Sequence, residues 1–220
     1  LHKAIRRQRQ MCIRDSIVTF DADLSSPEAV DALCARFGKD LPCPTHFVHL
    51  PALPVVNAKF KAFDEARFQN DWEIQVHSAV KLCKAVLPAM RKAKFGRVLF
   101  IQTSYTIGCP PKNTAAYVMN KSAIGGLVKS LAVEYARFGI TVNCVAPSMM
   151  ETHFLKDTPD LIVQAAAADN PMGRNATPED VAPAMAFLLS EEARFITGVT
   201  LPVTCLLYTS PSPRDRSVSR

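Results

Sequence analysis

From Ile17 onward the apolar positions switch repeatedly between short continuous runs and the three-and-four spacing of helices. "IVTFDA" (17–22) predicts a strand. "SSPEAVDALCARFG" (25–38) predicts a helix, with a Ser cap, Pro27 in the first turn and Gly38 as the stop. "THFVHLPAL" (45–53) reads as a buried strand, and "NDWEIQVHSAVKLCKAVLPAMRKAKFG" (70–96) as a long amphipathic helix ending at Gly96. "RVLFIQT" (97–103) is a further strand, followed by a Gly- and Pro-rich loop and a helix containing Tyr117. "ITVNCVAP" (140–147) is a strand, residues 152–170 a helix-rich excursion, "TPEDVAPAMAFLLSEEA" (177–193) a Pro-started helix and "GVTLPVT" (198–204) the last strand. Alternation of this kind predicts an α/β fold, a doubly wound parallel sheet with helices on both faces. Ligands in such sheets bind beyond the carboxyl ends of the strands, the edge at which Ser104 and Pro147 fall.

Charge is confined to the ends. Of a formal net charge of +6, residues 1–16 hold +4 (Lys3, Arg6, Arg7, Arg9 and Arg14 against Asp15). Residues 205–220 hold the other +2, leaving 17–204 neutral. Nucleic acid needs basic residues gathered on a folded face, so this distribution excludes it as a partner. The terminal segments 1–16 and 205–220 have no periodicity that could bury a face, and they are expected to be foreign or disordered flanks on a single domain, 17–204. In wording they resemble translated sequencing-adapter read-through; native disordered tails are the other reading.

Seven cysteines with no Cys-x-x-Cys pair read as small core residues in a reducing cytoplasm, and no apolar run reaches the roughly 18 residues of a membrane span. His46 and His49 lie three apart on a strand and face opposite sides, so no metal site is expected.

Tyr117 and Lys121 stand at i and i+4 on a helix, about 5 to 6 Å apart at Cβ, so a phenol and an ammonium converge on one volume. Alone this is an ordinary helix-face pair. Ser104 lies thirteen residues before Tyr117 at the end of a strand, "APSMMET" (146–152) ends another, and "PMGRNATPEDVAPAMAFLLSEEARFITGVTLPV" (171–203) follows. Together these resemble the classical branch of the short-chain dehydrogenase/reductase family over about residues 17–204. Its Ser and Tyr-x-x-x-Lys match Ser104, Tyr117 and Lys121, and its Pro-Gly-x-x-x-Thr segment matches Pro147 to Thr152.

The resemblance implies hydride transfer between NAD or NADP and a small carbonyl or secondary-alcohol substrate. Tyr117 would be the general acid or base, its pKa lowered by Lys121, which would also hold the nicotinamide ribose; Ser104 would bond the substrate oxygen. Thr152 and the backbone after Pro147 would meet the nicotinamide, and Asp23 the adenine. A homodimer or homotetramer through the two long helices, about 70–93 and 114–137, is implied, with no membrane partner. Three departures stand out. None of the eight glycines forms the family's Thr-Gly-x-x-x-Gly-x-Gly turn, so the first β-α-β elements are taken to be missing, NAD-versus-NADP preference is unreadable and the chain alone is expected to be inactive. The family's Asn-Asn-Ala-Gly is replaced by His49, Leu50, Pro51 and Ala52, and the relay Asn of the long helix by His77, an imidazole that can itself pass protons. The alternative is a non-catalytic homologue that binds or regulates.

Overall fold

The computed structural model describes residues 19–155 and 158–206. Four strands, β1 (His46–His49), β2 (Gly96–Ile101), β3 (Ile140–Pro147) and β4 (Thr200–Val203), lie in that order in one sheet, and each neighbouring pair is parallel. Parallel neighbours need long crossovers, and the helices supply them. Side chains alternate faces along each strand. Val98 and Phe100 of β2, with Val142 and Cys144 of β3, therefore pack beneath one helical layer, while Leu99 and Val145 pack beneath the other. Burying a side chain such as Phe100 or Leu99 contributes roughly 1.5 to 3 kcal/mol, which explains why both faces of these strands are apolar.

The first layer holds α1 (Pro27–Cys34), α2 (Glu65–Trp72), α3 (Ser78–Ala93) and α4 (Ala115–Tyr135); the second holds α6 (Pro178–Leu189), and α5 (Asp160–Asp169) belongs to the excursion before it. Ser26 caps α1, its Oγ accepting from Ala29 N at 3.2 Å. The long helix predicted from Asn70 starts earlier, at Glu65, because Asp64 caps it by accepting from Arg67 N at 2.9 Å. Between α2 and α3 it passes through one π turn, Glu73–His77. Such bulges concentrate at functional sites.

The strand expected at 17–22 is not found: Thr19 to Ala22 are irregular, and Ile17 and Val18 lie outside the described residues. Among the described residues β1 is an edge with no neighbour on its outer side, and Val48 stays 39% exposed there. Without a ladder to join, an apolar run has no partners for its backbone groups. The expected flank 1–16 likewise falls outside the described residues, as does 207–220 of the expected tail 205–220. No described helix is long and apolar enough to cross a membrane.

Candidate active site

β2 ends at Ile101, and the chain then turns through a short 3₁₀ segment, Ser104–Thr106, capped by Thr103, whose Oγ1 accepts from Tyr105 N at 3.4 Å. The turn places two buried hydroxyls, Thr103 and Ser104, just beyond the strand, and the Thr103 hydroxyl is close enough to the Tyr117 phenol to influence it. Ser104 is 1% exposed, and its Oγ is buried with no hydrogen-bond partner. Thr103 is a second hydroxyl beside Ser104, one that the thirteen-residue spacing does not single out.

Tyr117, in the first turn of α4, is half-buried, with the Tyr105 ring edge-on at 6.3 Å and the Phe154 ring tilted at 6.5 Å between centroids. Burial pushes its phenol above the usual range, against a smaller downward pull from the Thr103 hydrogen bond. The expected lowering by Lys121 is outweighed by desolvation.

Lys121, one turn on, is 3% exposed. Its ammonium lies 5.9 Å from the Tyr117 ring centroid and donates to the Ile101 carbonyl at 3.1 Å. Burial draws it down from 10.5 to about 8, opposed by Asp71 and then Cys144. The backbone is anchored too: Gln102 Nε2 donates to Lys121 O at 3.0 Å, and Gln102 Oε1 accepts from Thr200 Oγ1 at 2.8 Å. This close approach of α4 to the sheet requires Gly125, where a Cβ would stand 2.5 Å from Gln102 Nε2.

His77 does not face this pair. Its ring is 41% exposed and its Nδ1 sits 2.5 Å from Glu73 Oε2 one turn earlier. The π turn instead aims Gln75 inward: it is 1% exposed and is packed in the same spot as His49 and Lys121. His49, the first residue of the altered "HLPA", is buried; its Nε2 donates to the Gln75 carbonyl at 3.0 Å, and burial lowers its pKa to about 4. His46 lies apart, against Thr45 and Phe95. Among the described residues no group of three or more His, Cys, Asp and Glu could hold a metal ion.

Pro147 ends β3, and Thr152 Oγ1 accepts from Phe154 N at 3.3 Å, which swings Phe154 onto Tyr117. Asp23 is exposed and closes a turn, its Oδ1 accepting from Ser25 N at 2.9 Å and Ser25 Oγ at 2.6 Å ahead of α1. Beside Tyr117 opens a cleft of about 60 Å³, lined among others by Leu53, Pro54, Phe63, Phe68 and Asp71. A phenol, two hydroxyls and a buried ammonium thus gather at one strand edge, a proton donor beside a cation.

Comparison with known proteins bears on the same residues. A family model described as enoyl-(acyl carrier protein) reductase matches residues 2–205. The 3-oxoacyl-[acyl-carrier-protein] reductase of Pseudomonas aeruginosa is 30% identical over 189 residues, 86% of this chain and 75% of that protein. The enzyme of the same name from Vibrio cholerae is 38% identical over 145 residues, 66% of this chain and 59% of that protein, so the match spans little more than half that relative's length. The crystal structure of a 3-oxoacyl (acyl-carrier-protein) reductase from Agrobacterium tumefaciens C58 with NADP bound superposes with a TM-score of 0.74 at 28% identity, over 83% of this chain and 71% of that one.

Proposed function

The chain belongs to the classical short-chain dehydrogenase/reductase family, and from that premise we propose that the protein reduces a ketone to a secondary alcohol with NADH or NADPH, Tyr117 delivering the proton. The observation that carries this reading is the Tyr117 phenol beside the buried Lys121 ammonium, which lies 5.9 Å from the ring centroid. Hydride arrival builds negative charge on the carbonyl oxygen, and a group that can give a proton at that moment lowers the barrier. A phenol is protonated near neutral pH, the form that reduction needs. Ser104, with Thr103 beside it, supplies a hydroxyl for the substrate oxygen. Lys121, a cation at neutral pH, stabilises the phenolate left behind.

The site fits the nicotinamide end of the cofactor, which supplies the hydride. Lys121 and Tyr117 would hold its ribose, and the backbone after Pro147 with Thr152 its carboxamide. The pyrophosphate end fits less well, since no glycine-rich turn occurs among the eight glycines and Asp23 is engaged by Ser25. The 220-residue chain by itself is therefore expected to bind dinucleotide weakly and turn over little. Assembly as a homodimer or homotetramer belongs to the same reading, supported by Val133 and Met119, 85% and 49% exposed on α4.

A second reading, a non-catalytic binding protein, draws on His49 occupying the Gln75 carbonyl beside Lys121, where a relay would run. The test is cofactor oxidation at 340 nm by the protein extended upstream of Ile17, with 3-oxoacyl thioesters tried first because two relatives carry that name. Turnover lost in Tyr117→Phe and Thr103→Val supports catalysis. Dinucleotide binding without turnover of any ketone supports the second reading. Full activity in Tyr117→Phe sinks the first.

A further inference from the structure

Asp71 is a buried carboxylate at the end of α2 that none of the steps above uses, 8% exposed. It joins three pieces of the site. Its Oδ1 accepts from Leu53 N at 2.9 Å, in the loop that follows "HLPA". Its Oδ2 accepts from Gln75 Nε2 at 2.7 Å, in the π turn, and from Asn120 Nδ2 at 3.1 Å, the residue before Lys121 on α4. All three partners are donors, which matches the acceptor-only, ionised form of the carboxylate. The acceptor atoms of both amides, Gln75 Oε1 and Asn120 Oδ1, are buried with no partner. Both amides are thus turned so that their donors meet Asp71, at the expense of their own oxygens.

We infer that Asp71 is the positioning residue of the Tyr117 and Lys121 pair, a buried carboxylate that ties the loop after β1, the π turn and α4 together around Lys121. The role rests on Tyr117 and Lys121 being the reactive pair. Desolvation alone would drive Lys121 toward the neutral amine, and Asp71 is the largest influence opposing it. The other ionisable groups around Lys121 are Tyr117 on α4, Cys144 on β3 and His49 on β1. Burial holds Cys144 up at about 12 and His49 down at about 4, so both are neutral near pH 7. Among these groups Asp71 is left as the counter-charge.

The test is Asp71→Asn in the 220-residue chain, read by the ¹³Cε resonance of Lys121 across pH and assigned by its loss in Lys121→Met. Asn keeps the shape, and an amide in place of the carboxylate can be met by flipping Gln75 and Asn120, whose oxygens then gain a donor. The Lys121 midpoint should fall by roughly half a pH unit or more. A folded Asp71→Asn protein with an unmoved midpoint overturns the proposal, because a merely structural hydrogen-bond hub would leave the titration where it is. If that variant does not fold, ¹³Cγ labelling of aspartate in the unmutated chain decides. An Asp71 that is ionised at pH 7, and whose protonation shifts the Lys121 signal, upholds it; an Asp71 neutral at pH 7 overturns it. Neither readout depends on turnover, so failure of the oxidoreductase reading would be seen separately.

Discussion

Replacing Lys121 by Met should stabilise the protein, and only in one pH range. Lys121 titrates at about 8 in the folded chain against an ordinary 10.5, and each tenfold is about 1.4 kcal/mol, so keeping it charged in its 3%-exposed site costs roughly 3 kcal/mol. The sign follows from proton counting. Between about 8 and 10.5 the unfolded chain holds a proton that the folded chain has released, so stability rises with pH across that interval and sits at its lower level below about 8. Met matches the aliphatic stem and never titrates. Its gain is reduced by about 1 kcal/mol for the donor lost to the Ile101 carbonyl. The expected net gain at pH 6 to 7 is roughly 2 kcal/mol, a shift of about 1 M in the urea midpoint for a slope near 2 kcal/mol per M. Urea unfolding at half-unit steps from pH 6 to 10 measures it. The advantage of Lys121→Met should be flat to about pH 8 and shrink thereafter. A gap that does not change with pH, or a Met variant weaker at pH 7, would refute the claim that a costly buried charge sits beside Tyr117.

Two other expectations can be checked with the same apparatus. Gly125→Ala places a Cβ 2.5 Å from Gln102 Nε2 and should cost roughly 1 to 3 kcal/mol, with the Gln102 to Lys121 backbone bond disturbed; unchanged thermal unfolding would show that α4 does not need the close approach. His49, lowered from 6.5 to about 4 by burial, contributes stability that is complete above pH 6.5 and is lost as acid approaches pH 4; His49→Gln should flatten that acid limb, and an unaltered limb would mean His49 accepts a proton in place.

The alternation of strands and helices after residue 22, the parallel two-faced sheet and the nearness of Tyr117 to Lys121 were all legible in residue order. These rest on local rules, the period of apolar residues and the i, i+4 spacing, which tertiary contacts only reinforce. Residue order also located Pro147 and Thr152 at the strand edge. The tertiary structure alone decided where β2 lets go, because its ladder with β3 ends at Ile101 and not at Thr103, so that a 3₁₀ turn begins at Ser104 and buries its hydroxyl. It likewise decided that Gln75, and not His77, faces Lys121, since a π turn rotates the helix face away from the 3.6-residue count that spacing assumes. Asp71 was invisible for a related reason. As one acidic residue in "NDWEIQ" it looks solvated, and only the convergence of Leu53, Gln75 and Asn120 from three separate segments makes it a buried charge.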